Sequence, residues 1–89
     1  MLLQNRLNQR IAETIKQSIE LERQEADTST ASWRQRCEVA QVAMYGDAER
    51  TTFIHHVTEK RGSDAAHEIQ SGAAKLRTAA IFFLASKTS

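Results

Sequence analysis

The sequence predicts an all-α fold: a small bundle of about four helices, in which long first and last helices flank two shorter ones. Its 89 residues contain no Pro and only three Gly, and residues that favour helix dominate. Apolar residues recur at spacings of three and four, as on one face of a helix. Polar or glycine breaks separate four such segments. A chain of this length makes one domain, 1–89, with helices predicted over about 3–26, 31–45, 48–61 and 64–85.

The first helix carries apolar residues at every fourth position, Leu7, Ile11, Ile15 and Ile19. Each step of four residues advances about 400° around a helix, so this stripe drifts by roughly 40° per step and suits more than one neighbouring helix. The run DTSTAS over 27–32 predicts a loop. It ends in a helix N-cap at Ser29, Thr30 or Ser32.

The two central helices have clear apolar faces and glycine boundaries. Gly46 is predicted to end the second helix in the left-handed conformation, with Asp47 capping the third. Gly62 is predicted to end the third helix. Apolar residues at helical spacing predict a packing core, whose members are Trp33, Cys37, Met44, Phe53, Val57 and Ile69.

The last helix is rich in Ala and Ile at nearly heptad spacing, which favours close helix packing. Gly72 lies within it and weakens it by about 1 kcal/mol relative to Ala. This glycine predicts either a bend or a close backbone approach. The final residues, 86–89, are predicted to form a disordered tail.

Four large apolar residues, Ile81, Phe82, Phe83 and Leu84, follow one another near the end of the last helix. Such a run covers the whole circumference of a helix, so one domain's core cannot bury it all. Either the first helix wraps around it, or another protein or a second copy of the chain covers it. The candidate partner-binding residues are these four, with Arg77 at the rim.

No constellation of residues indicates catalysis or a cofactor. Adjacent histidines such as His55 and His56 point about 100° apart on a helix and cannot easily share an ion. A single cysteine, Cys37, does not provide the paired ligands of a zinc site. The pair His55 and Glu59 has the one-turn spacing of a surface hydrogen bond. The sequence therefore predicts a protein that is not an enzyme and holds neither metal nor cofactor.

The formal net charge of +1 is far from the surplus that phosphate neutralisation requires. Two helices joined at Gly46 are nevertheless compatible with a small DNA-binding regulator, whose basic residues would be Arg34, Arg36, Arg50, Lys60 and Arg61. Acidic residues lie between them, which favours salt-bridged helix surfaces and makes nucleic acid the less favoured partner.

The longest apolar run, 79–85, is much shorter than the roughly 20 residues that span a bilayer. The first ten residues, MLLQNRLNQR, reach Asn and Arg before an apolar run develops. They predict no secretory signal, and together with the lone cysteine they predict a cytoplasmic location.

The central stretch, 33–69, contains a distinctive set of residues: Trp33-Arg34, Cys37-Glu38, Arg50, Val57, Lys60-Arg61-Gly62 and Ala65-Ala66. They form the pattern WRxxCE, then a helix ending in xRG, then xAA. With this pattern the stretch resembles a family of short proteins of unknown function encoded in phages and prophages. The chain departs from the family at Tyr45-Gly46-Asp47, where such proteins tend to have a Pro.

The resemblance implies a small accessory protein of a phage or mobile element. Proteins of this kind commonly act without catalysis, by binding another protein. We therefore expect a helical inhibitor or modulator of a host or anti-phage defence protein complex, acting in the host cytoplasm. The alternatives are a DNA-binding transcriptional regulator that uses the two central helices and a helical homodimer that serves as an assembly factor.

Overall fold

A computed structural model describes residues 2–88, and the side chains over 6–86. It contains four helices: α1 (Leu2–Glu25), α2 (Ala31–Met44), α3 (Asp47–Arg61) and α4 (Ser63–Thr88). The all-α prediction is confirmed, and long outer helices do flank two shorter ones. The predicted disordered tail is wrong over 86–88, where α4 continues, and Ser89 lies outside the described residues.

The loop between α1 and α2 is held by hydrogen bonds from its own short side chains. The Asp27 carboxylate accepts from the Ser29 hydroxyl at 2.6 Å and from the Ser29 N–H at 3.1 Å. These bonds lower the pKa of Asp27 below its ordinary value. Thr30 is the N-cap of α2, and its hydroxyl oxygen accepts from the Trp33 N–H at 3.1 Å. The cap is therefore one of the three residues predicted for it.

The corner between α2 and α3 differs from the prediction. Gly46 has φ −67° and ψ 168°, so the left-handed conformation expected there is wrong. Tyr45 is also extended, and two extended residues turn the chain without needing a glycine. Asp47 is the first residue of α3 rather than its cap, and its carboxylate accepts from Arg50. Gly62, in contrast, ends α3 at φ 96°, which glycine adopts readily.

The helices pack around a central pair, α2 and α4. α1 contacts both members of this pair, whereas α3 packs mainly on α4 and touches α2 only slightly. Over residues 2–88 no contact joins α1 to α3. The resulting molecule is flat, with principal extents of 41 × 34 × 14 Å.

The buried core draws on all four helices and contains many small residues. Of the six predicted core residues, Trp33, Val57 and Ile69 are buried, whereas Cys37, Met44 and Phe53 are half-buried and pack against the core. The buried apolar residues are Ile11, Ile15, Ile19, Trp33, Val39, Ala40, Val42, Ala43, Val57, Ala66, Ile69, Ala73 and Ala80. The alanines allow the helix backbones to approach closely.

Gly72 marks a close approach between α2 and α4. A Cβ atom added there would lie 2.9 Å from the Val39 Cγ1 atom, nearer than non-bonded carbons normally come. Of the two roles predicted for this glycine, the close approach is therefore the one observed.

Candidate functional site

The exposed apolar side chains of α4 lie beyond the corner where α2 ends and α3 begins. Arg77 Nη1 donates to the carbonyl of Ala43, near the end of α2, at 3.0 Å. The residues of α4 after Arg77 thus extend past the corner that joins α2 to α3. We call residues 78–86 of α4 the arm.

The four apolar residues of the predicted run, Ile81–Leu84, differ in how far they are buried. Leu84 is half-buried and packs against the core. Ile81, Phe82 and Phe83 are 46%, 69% and 54% exposed. Because consecutive helix residues point about 100° apart, these side chains leave the arm in different directions. The prediction that one protein core cannot bury all four agrees with this geometry.

An apolar groove runs between α1 and the arm. Its volume is about 480 Å³, and its lining residues include Thr14, Ser18 and Leu21 from α1 and Ala79 and Phe83 from α4. Leu21 is 65% exposed, although it belongs to the helix that supplies three buried isoleucines. The groove is thus an open apolar surface formed by the first and last helices.

Arg77, which the sequence predicted at the rim of the binding surface, makes contacts within the chain. Its guanidinium is partly buried, donating to the Ala43 carbonyl and, at 3.2 Å, to the Asn8 Oδ1 atom. Burial lowers the pKa of Arg77, and the nearby Arg50 cation lowers it further. Arg50 Nη1 donates to the Tyr45 carbonyl at 2.8 Å. Arg50 and Arg77 therefore donate to carbonyls at the carboxyl end of α2. The last turn of α2 itself has no basic residue.

Replacing Arg77 with Met is expected to lower the free energy of unfolding by about 1–3 kcal/mol. Met keeps most of the packing of the aliphatic stem but leaves two acceptors, on Ala43 and Asn8, without their donor. Urea denaturation followed by circular dichroism would measure the loss. Lys75→Met, an exposed change on the same helix, is the control and should alter stability by less than about 0.5 kcal/mol. Equal effects in the two variants would contradict this role for Arg77.

Three of the five basic residues of the predicted basic patch bind carboxylates of the chain itself. Arg36 pairs with Glu22 and Arg61 with Glu38, at 2.9 and 2.8 Å, and Arg50 pairs with Asp47. The Arg61 hydrogen bonds lower the pKa of Glu38 and raise that of Arg61. Arg34 and Lys60 are exposed. The patch is therefore largely neutralised by the protein's own acidic groups.

The cysteine and histidines form no clustered site among the described residues. No group of three or more His, Cys, Asp or Glu within 2–88 is arranged to hold a metal ion. Cys37 is a half-buried free thiol. His55 Nε2 lies 2.8 Å from the Glu59 carboxylate on the surface of α3, the one-turn contact expected from their spacing. None of the four helices, over the same residues, has an apolar stretch long enough to cross a bilayer.

A protein-family comparison matches residues 26–80 to the family of unknown function DUF7696. The chain belongs to this family. The match contains α2, α3 and α4 as far as Ala80, and includes the whole stretch 33–69 that carries the sequence resemblance. α1 and the exposed residues of the arm from Ile81 onwards lie outside it. No curated protein and no solved structure matches the chain.

The family segment therefore supplies the central helix pair and α3, whereas the groove combines that segment with α1. Sequence reasoning singled out the run at the end of α4 but missed Leu21 as part of the same surface. The spacing of seven residues between Leu7, Thr14 and Leu21 is the signal that could have found it.

Proposed function

We propose that this family member is a non-catalytic accessory protein of a phage or mobile element, which binds and inhibits or modulates a host or anti-phage defence protein complex. The observation that supports this proposal is the pair Ile81 and Phe82, exposed on an arm that extends past the short helices. The mobile-element context comes from the sequence resemblance.

The mechanism is occlusion of a groove that the target needs for its substrate or partner. An aromatic side chain on a helix is a suitable anchor, because it buries a large area while losing only two rotatable bonds. Phe82 is the most exposed large apolar side chain described here, at 69%. Ile81 extends the apolar surface on one side of it. Anchors of this kind commonly contribute most of an interface's binding energy.

The arm can enter a groove with little obstruction. Ile81 and Phe82 are exposed on the arm, and α2 ends and α3 begins near Arg77. A helix that projects in this way presents anchors along one side, as in other complexes where a helix lies in an apolar groove. Phe82→Asp would place a charge at the centre of that contact, where desolvation costs several kcal/mol.

Phe82→Asp is therefore expected to abolish capture of the target from host lysate. The wild-type chain and Ala74→Asp, an exposed change on α4 outside the arm, should both retain it. Circular dichroism confirms that each variant is folded. The captured protein is then purified, and its activity is titrated with the wild type and with both variants. A folded Phe82→Asp variant that retrieves and inhibits the same protein would contradict the proposal.

The rival function, DNA binding by α2 and α3, is disfavoured by the carboxylate partners of Arg36, Arg50 and Arg61. Furthermore, the hydroxyls of Thr51 and Thr52 donate to carbonyls one turn earlier in α3, at 3.0 Å each. Gel-shift titration at two salt concentrations distinguishes the two functions. A complex with DNA that weakens steeply as salt rises would support the rival.

A further inference from the structure

Charge is distributed unevenly along the chain. Residues 1–12 and 69–89 contain five Arg or Lys and no Asp or Glu, whereas residues 13–68 contain seven basic and eleven acidic residues. The formal net charge of +1 is therefore the balance of a part at +5 and a part at −4. A separation of this kind orients a protein as it approaches a charged partner, even when its total charge is near zero.

The fold brings the two basic segments together at the arm. Arg77 of α4 donates to Asn8 of α1 at 3.2 Å. A second, shallow groove of about 150 Å³ lies beside the arm, and its lining residues include Arg10 from α1 and Phe83 from α4. Glu13 lines this groove as well, so one carboxylate lies on the α1 side. The exposed apolar residues of the arm thus belong to the basic part of the molecule.

Two exposed cations border the apolar surface of the arm on different sides. Arg10 lies on the α1 side, in the same groove as Phe83. Lys75 lies seven residues before Phe82, so the two side chains leave α4 within about 20° of the same direction and about 10 Å apart along its axis. Both cations are exposed, and neither forms an ion pair within residues 6–86. Their charges are therefore open to a partner, unlike those of the paired arginines of α2 and α3.

We propose that the arm binds an acidic face of its target protein: an apolar groove whose rim carries Asp and Glu side chains. This inference rests on the proposed function and names the chemistry of the partner. Ile81 and Phe82, both exposed, fill the apolar floor of the groove. Arg10 and Lys75 meet carboxylates on the two sides of its rim. The part of the chain with a net charge of −4 is repelled by the same acidic face, so the arm approaches it first.

The shape of the arm favours a protein groove over an anionic membrane as the partner. Both partners are negatively charged, and apolar side chains flanked by cations also bind lipid surfaces. A membrane surface, however, meets a helix along one side. Ile81 and Phe82 leave the arm about 100° apart, and Arg10 and Lys75 lie on different sides of it. A groove that encloses the arm contacts all four side chains together.

Surface plasmon resonance tests the acidic rim, with the protein that the wild-type chain retrieves from host lysate, once purified, as the probe. Its affinity for the wild type should fall as the salt concentration rises. Lys75→Glu and Arg10→Glu should each weaken binding by about tenfold or more, chiefly through slower association. Lys60→Glu is the matched control. It makes the same charge change at an exposed position near the end of α3, away from the arm, and should alter binding by less than about twofold.

The possible outcomes separate this inference from the proposed function. If folded Lys75→Glu and Arg10→Glu variants bind and inhibit the target as the wild type does, the proposed function stands and the acidic rim is overturned. If the wild type retrieves no protein, both are overturned. Co-sedimentation with vesicles of phosphatidylglycerol and phosphatidylcholine tests the membrane, and the wild type should remain in the supernatant. Vesicle binding that both charge reversals abolish would overturn the protein groove as the partner of the arm.

Discussion

Replacing Ile15 with Ala is expected to lower the free energy of unfolding by about 2–5 kcal/mol. The side chain is 2% exposed and belongs to the core that joins α1 to the central helix pair. Removing three carbon atoms there loses their transfer free energy and leaves a cavity. A chain of 89 residues has a total stability of roughly 4–13 kcal/mol. The loss is therefore a large share of the whole, and partial unfolding at 37 °C is expected.

Leu21→Ala is the matched control for this variant. It also removes three carbon atoms from α1, but from a side chain that is 65% exposed, so stability should change by less than about 0.5 kcal/mol. Urea denaturation followed by circular dichroism measures both. Equal losses would mean that α1 does not dock through its isoleucine stripe. α1 lies outside the residues that match the family. Comparing the two variants therefore also tests whether this helix is part of the folded domain.

Local sequence patterns were sufficient to predict the four helices. The spacing of Ile11, Ile15 and Ile19 indicated a buried face, and all three residues are buried. Thr30 was among the predicted caps because short hydroxyl side chains accept from N–H groups of the first turn. Helix spacing and capping act over a few residues, so they can be read directly from the chain.

Contacts between distant residues could not be predicted in the same way. Arg77 was assigned to a binding rim because it is near the apolar run, yet its partners Ala43 and Asn8 are 34 and 69 residues away. The corner at Gly46 was misjudged because a glycine is compatible with the left-handed conformation without requiring it. Both features lie where packing between helices decides the local structure.

The candidate binding surface was predicted only in part. The run at the end of α4 was correctly recognised as too apolar for one core, but it was treated as a single patch. In the structure α1 covers one side of the arm, so Leu84 packs inward, Phe83 borders the groove and Phe82 faces solvent. Which side is covered depends on where α1 crosses α4, and no local pattern encodes that crossing. Consequently, the groove between α1 and α4 became visible only in the folded chain.

Gly72→Leu is expected to lower the free energy of unfolding by about 1–3 kcal/mol, because it forces extra volume into a filled helix contact. The first atom of the new side chain, Cβ, would already lie 2.9 Å from Val39 Cγ1. Val39 is buried and β-branched, so it cannot swing aside without leaving its preferred rotamer. In an open helix the same substitution would stabilise by nearly 1 kcal/mol, since Leu favours helix more than Gly does.

The sign of the change in the free energy of unfolding therefore distinguishes two roles for Gly72. A loss of stability indicates a close contact between helices, and a gain indicates a glycine that only weakens α4. Thermal and urea unfolding of Gly72→Leu should show the loss, while Ala74→Leu, an exposed change two residues later, should have little effect. Val39→Ala removes the two methyl groups that the new side chain meets. Combining it with Gly72→Leu should recover part of the loss, giving a favourable coupling of about 0.5–3 kcal/mol between the two positions. A stabilised Gly72→Leu variant, or strictly additive effects, would show that α2 and α4 do not meet at this glycine.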